Sequence, residues 1–105
     1  MAQTVLRILR LPKVKERTGD SKSKIYKNSS EGLFTKPVKT GERASGWPDY
    51  EVDAINAARI AGKSNDEIRV LVAELMASRK RYFHVLEALE KSAYNVGETS
   101  REGIK

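Results

Sequence analysis

Gly19 divides residues 11–30 into two segments, each with room for roughly two helical turns, and this break limits the folds open to the chain more than any other feature. Upstream, "LPKVKERT" puts Pro12 where a helix start tolerates a missing N–H and pairs Leu11 with Val14 at i, i+3. It then meets the glycine that a left-handed helix stop favours. Downstream, Asp20 or Ser21 can cap a second helix by accepting from free first-turn N–H groups. Only Ile25 and Tyr26 are bulky and apolar there, so little holds that helix down. Asn28, Ser29 and Ser30 favour caps and turns, which predicts a helix that is short or frayed before Gly32.

The remaining punctuation sets the order of elements. "TVLRIL" alternates as a short strand over residues 4–9, with Val5 and Leu9 on one side and Leu6 and Ile8 on the other. Extended runs at 36–39 and 44–47 flank Thr-Gly-Glu-Arg, where Gly41 is expected to supply the positive φ of a tight primed turn. A third helix starts near Pro48 with acids in its first turn, turns Val52, Ile55 and Ala58 or Arg59 to one face, and stops at Gly62. "SNDE" then reads as a capping box between Ser64 and Glu67. It opens a fourth helix whose apolar stripe, Ile68, Val72, Leu75, Tyr82, Leu86 and Leu89, lasts to about residue 91. Arg79 interrupts that stripe, so Arg79-Lys80-Arg81 is expected to mark a bend or break. The last ten residues lack periodicity and read as a disordered tail.

Charge is distributed unevenly. Residues 1–46 hold 11 Lys/Arg against 4 Asp/Glu, and residues 47–105 hold 9 against 10, so the whole excess of +6 originates in the first half. That half is the part expected to meet a polyanion. No run is long and apolar enough to span a bilayer, the second helix has too few bulky apolar groups to lie on a membrane, and the N-terminus carries no recognisable secretory signal. A cytoplasmic, nucleoid-associated protein is expected. With no cysteine, the chain has no disulfide scaffold, thiolate zinc site or cysteine nucleophile.

Helix, glycine turn, helix, hairpin, helix is the order of a winged helix-turn-helix, in which the second helix reads DNA. The expected fold is therefore mainly α with a small β-hairpin, followed by an amphipathic C-terminal helix. Its divisions are a DNA-binding domain at 1–62, a helical extension at 63–92 and a tail at 93–105. A helix lying in a major groove packs only one side on its own protein, so few apolar anchors suffice and the other side carries donors. Ile25 is the expected anchor, with Tyr26 beside it. The candidate DNA contacts are Ser21, Lys22, Ser23, Lys24, Tyr26 and Lys27 on the helix, and Lys36, Lys39, Thr40 and Arg43 on the wing. Hydroxyls can serve bases or phosphates, and lysines act as point charges on phosphates or as donors to guanine.

Over residues 7–61 the chain also resembles the AlpA-type prophage regulators, winged-helix proteins akin in architecture to excisionases and to the MerR DNA-binding domain. The resemblance rests on Arg10-Leu11-x-x-Val14, Thr18-Gly19, Ser21-x-Ser23-x-Ile25-Tyr26, Glu31-Gly32-x-Phe34, Lys36-Pro37-Val38-Lys39, Gly41, Arg43-Ala44, Gly46-Trp47 and Glu51-Val52. It implies DNA binding by the second helix and the wing. It also implies a role in activating prophage or integrase genes, or in steering excision of a mobile element. The chain departs from the family pattern at Asp20 and at Asn28-Ser29, where apolar residues are usual.

Trp47 and Phe34 read as core aromatics. His84 stands without a second ligand at metal spacing. Glu51 with Asp53, and Asp66 with Glu67, are carboxylate pairs for which the sequence shows neither a basic partner nor a pocket. No enzyme activity, metal or cofactor is expected. The C-terminal stripe can fold back on the domain, self-associate over 64–91, or meet another protein such as an integrase or RNA polymerase. A protein-interaction adaptor working through that helix is the competing function.

Overall fold

A computed structural model describes residues 6–103, together with the side chains of residues 6–81, 83, 84 and 87–89. In chain order the elements are β1 (Ile8–Leu9), α1 (Leu11–Thr18), α2 (Lys22–Ser30), β2 (Val38–Lys39), β3 (Ser45–Pro48), α3 (Asp49–Ile60) and α4 (Asn65–Gly103). This is the mainly helical winged helix-turn-helix that the sequence predicts. The wing is a three-stranded antiparallel sheet ordered β1-β3-β2, because β1 adds to the hairpin with Leu9 opposite Trp47. Thr4 and Val5, the start of the predicted strand, lie outside the described residues.

Gly19 ends α1 at φ 75°, and its N–H donates to the Lys15 carbonyl at 2.8 Å. The Thr18 hydroxyl donates to the Val14 carbonyl (2.8 Å) and accepts from the Asp20 N–H (3.2 Å), which stiffens the turn. Of the two predicted caps it is Ser21 that serves, accepting from the Lys24 N–H at 3.2 Å. Helix α2 is short, at nine residues, and its last turn is held in place without fraying. Asn28 and Ser29 are buried: the Asn28 carbonyl accepts from the Leu33 N–H at 2.8 Å, and the Ser29 hydroxyl donates to the Thr35 carbonyl at 3.3 Å. Residues that weaken an isolated helix here dock its last turn on the following loop, so tertiary contacts override propensity.

The wing turn differs from the expectation. Gly41 is not among the residues with positive φ. Instead, the N–H groups of Thr40 and Gly41 both donate to the Ala44 carbonyl, at 2.9 and 3.2 Å, and close a wider loop in which neither primed dihedral is required. Gly46 is the glycine that the sheet does require. A Cβ there would lie 2.6 Å from Ile8 Cγ2 and 2.7 Å from the Leu9 carbonyl oxygen, so its absence lets β1 approach β3.

The core consists of Leu9, Val14, Ile25, Leu33, Phe34, Trp47, Val52, Ile55, Ile68 and Val72. Trp47 is fully buried, and its indole N–H donates to the Thr35 carbonyl at 2.8 Å. Helix α4 begins with the predicted reciprocal box: the Ser64 N–H donates to Glu67 Oε1 (2.9 Å) and the Glu67 N–H to Ser64 Oγ (3.1 Å). Its first turns fold back through Ile68 and Val72, so the core continues past residue 62. Phe83 and Leu89 farther along are 62% and 57% exposed, and that part of the stripe is not covered by the fold. The side chains of Tyr82 and Leu86 lie outside the described set.

Arg79 does not break α4, which continues as one helix through residues 79–81 and on to Gly103. The backbone is helical over 93–103 as the continuation of α4. Residues 104 and 105 lie outside the described residues.

Candidate nucleic-acid interface

On α2, Ile25, Asn28 and Ser29 are buried, whereas Ser21, Lys22, Ser23, Lys24 and Lys27 are exposed. Tyr26 sits between the two. It is 40% exposed, yet its ring meets Trp47 edge-on at a centroid distance of 5.8 Å. Because Trp47 belongs to β3, this contact seats the root of the wing against the exposed helix. On the wing, the side chains of Lys36, Lys39, Thr40 and Arg43 are all exposed. Lys39 Nζ reaches the Glu42 carbonyl at 3.5 Å, a contact within the loop that leaves its charge facing solvent. The predicted set is thus exposed along α2 and on the wing with the segment that leads into it. Ser21 is the member with a structural duty as well, since its oxygen caps α2 while its O–H remains able to donate.

What holds these two surfaces in place was not read from the sequence. Glu51 is fully buried on α3, and Arg79 from α4 grips it with two hydrogen bonds, Nε to Oε2 and Nη2 to Oε1, both at 2.7 Å. The same Nη2 donates to the Lys36 carbonyl at 2.7 Å, at the entrance to β2. The hydrogen bonds to Glu51 hold the Arg79 guanidinium above its ordinary pKa, against a smaller opposing effect of burial. A second arginine of α4 acts in parallel: Arg69 Nε donates to the Glu31 carbonyl at the end of α2 (2.9 Å) while its Nη1 meets Asp66 (3.2 Å). The two arginines therefore bracket the segment that connects the exposed helix to the wing.

These contacts correct the sequence reading of the carboxylates. Glu51 pairs with Arg79, Asp53 with Arg17 at 2.9 Å and Asp66 with Arg69. The first two partners lie 28 and 36 positions away, beyond any local spacing rule. A usable signal was nevertheless present: Arg79 on an apolar stripe and Glu51 four residues before the core Ile55 are both charges at core positions, and two such misfits of opposite sign point to each other. His84 is exposed with Nδ1 3.8 Å from Glu87. Among the described residues no group of acids and histidines is arranged to hold a metal, and no helix is long and apolar enough to cross a membrane.

No curated protein and no solved structure matches the chain. Residues 7–59 match the family described as prophage CP4-57 regulatory protein (AlpA). That span covers α1, the glycine turn, α2, the wing and nearly all of α3. It leaves Arg69 and Arg79, which steady those elements, outside the match. The sequence, the winged helix-turn-helix and the matched span agree, and the chain belongs to the AlpA family of prophage regulatory proteins.

Proposed function

We propose that the protein binds double-stranded DNA through the exposed face of α2 and through the wing, as a regulator of a prophage or integrative element. It acts either on transcription or on the direction of excision. The observation that carries this reading is the division of α2: Ile25, Asn28 and Ser29 are buried, and three lysines and two serines face outward beside a basic wing. Such a helix offers little to a protein core and suits a second, anionic partner. Ser21, Lys22, Ser23, Lys24, Tyr26 and Lys27 would meet one groove, and Lys36, Lys39, Thr40 and Arg43 the flanking backbone. The chemistry is occupancy, with no reaction catalysed, and DNA binding would place the protein at the nucleoid.

Electrophoretic shift across a salt series tests the proposal. Six phosphate contacts give a log–log slope of roughly −5. Lys24→Ala and Arg43→Ala should each weaken binding by about 1–3 kcal/mol if they touch bases or desolvated phosphates. Affinity unchanged in both variants would remove these residues from the interface. Footprinting on flanking DNA separates the two roles: protected repeats beside an integration site mean excision, and protection upstream of a promoter means regulation.

A second reading has its own observation. Leu6, Ile8, Val38, Pro48 and Phe83 line an apolar groove over Arg79, with Leu6, Ile8 and Phe83 exposed. This surface suits the adaptor alternative, in which α4 meets an integrase, RNA polymerase or a second copy of the chain. Light scattering with Phe83→Lys distinguishes self-association from no role.

A further inference from the structure

Beside the first turn of α2 is a cleft of about 120 Å³, floored by Phe34 and Ile55 and rimmed by Asp20, Lys24, Asn56 and Arg59. It brings together residues from the helix-turn-helix and from the last turn of α3. Asn56 spends one amide proton on the Arg17 carbonyl at 3.0 Å and retains another. The side chains of Asp20, Lys24 and Arg59 have no hydrogen bond or ion pair among the described residues. Two uncommitted cations, one uncommitted acid and one amide donor therefore surround a phosphate-sized space at the edge of the exposed helix.

Resting on the DNA-binding reading above, we infer that this cleft seats one backbone phosphate of the bound duplex, held between Lys24 and Arg59, and that Asp20 weakens the seat. The charges explain why Arg59 is needed. Asp20 alone offsets Lys24, so without Arg59 the rim carries no net attraction for an anion. With Arg59 the rim is left with a single positive charge, the match for one phosphate. An acid beside a phosphate seat lowers affinity for all DNA alike, so it sets the strength of binding and leaves the ratio between sites unchanged. It also gives a role to Asp20, whose side chain does not serve as the α2 cap.

The test uses the full chain with a footprinted duplex and a random-sequence duplex across a salt series. Arg59→Ala should weaken binding several-fold on both duplexes and reduce the log–log slope by about 0.9, one phosphate contact, whereas Arg59→Lys keeps most of the slope. Asp20→Asn should tighten binding several-fold, by a similar factor on the two duplexes. Asp20→Asn combined with Arg59→Ala restores the single positive charge and should recover the lost slope, a rescue that a merely structural role for Arg59 does not predict. Arg59 is exposed, so thermal melts of its variants should match the parent. If Arg59→Ala keeps the parental slope while Lys39→Ala reduces it, the seat is refuted and the DNA-binding reading stands. Failure of the double variant to recover refutes the role of Asp20. If the parent chain binds neither duplex, both readings fall together.

Discussion

Replacing Arg79 with methionine keeps the length of the side chain and its helix propensity, and takes away both donors to Glu51 and the donor to the Lys36 carbonyl. The Glu51 carboxylate is then fully buried without its partner. Breaking a buried pair from one side costs about 3–5 kcal/mol. Arg79 retains 22% exposure, so water can reach part of the vacated space, and the lower end, about 3 kcal/mol, is the expectation. A domain of this size has a total stability on the order of 5–15 kcal/mol, and its melting midpoint moves roughly 4–8 °C per kcal/mol. The variant should therefore melt more than about 10 °C below the parent by circular dichroism, with a matching fall in the urea midpoint. Glu51→Leu with Arg79→Met replaces the pair by apolar groups and should recover most of the loss, because the desolvation of Glu51 disappears with its charge. The reasoning is refuted if Arg79→Met costs less than about 1 kcal/mol, the range of an exposed ion pair, or if the double variant is no more stable than the single one.

Gly46→Ala tests the join of β1 to the wing. The new Cβ meets the Leu9 carbonyl at 2.7 Å, and backbone cannot rotate aside as the exposed Ile8 side chain can, so a loss of about 1–3 kcal/mol and faster amide exchange at Trp47 and Pro48's neighbour Asp49 are expected; parental exchange rates would contradict it. In the Ser64 box, the Ser64 N–H, helped by the Lys63 charge, holds the Glu67 carboxyl below its ordinary pKa. The folded state thus prefers the carboxylate: the contribution is present above the unfolded glutamate pKa and is lost as pH falls through the lower folded value. NMR titration should show Glu67 protonating below an ordinary glutamate in the parent, and closer to the ordinary range once Lys63→Ala is combined with Ser64→Pro, which removes both the N–H and the hydroxyl.

Local chemistry made much of the fold legible. Gly19 stops α1, Ser64 and Glu67 cap each other, and Ile25 anchors α2, since each depends on residues within four positions. The misreadings share a cause, which is that the deciding partner is distant or indirect. Asn28 and Ser29 look like helix breakers until Leu33 and Thr35 return to bond with them, and the wing turn closes on the Ala44 carbonyl without a left-handed Gly41. The exposed cations of the candidate interface were legible because exposure follows from helical period and charge. Their mutual placement was not, because it depends on Tyr26 against Trp47 and on two arginines of α4.

That dependence changes where the working unit ends. The matched family span stops at residue 59, and the division expected from the sequence falls at residue 62, yet Ile68 and Val72 complete the core and Arg69 and Arg79 hold the carbonyls at Glu31 and Lys36. Glu31 follows the last turn of α2, and Lys36 stands two residues before β2, so both ends of the helix-to-wing connection are fixed by one rigid element. A connection of this length, free at either end, would let the wing swing relative to α2 and spread the two basic surfaces over many orientations, each at an entropic cost to a shared partner. Gripping both ends from the same helix sets that cost at folding. A chain truncated after residue 62 should accordingly lose stability and DNA affinity together, whereas one truncated after Arg81 retains every contact that positions α2 and the wing.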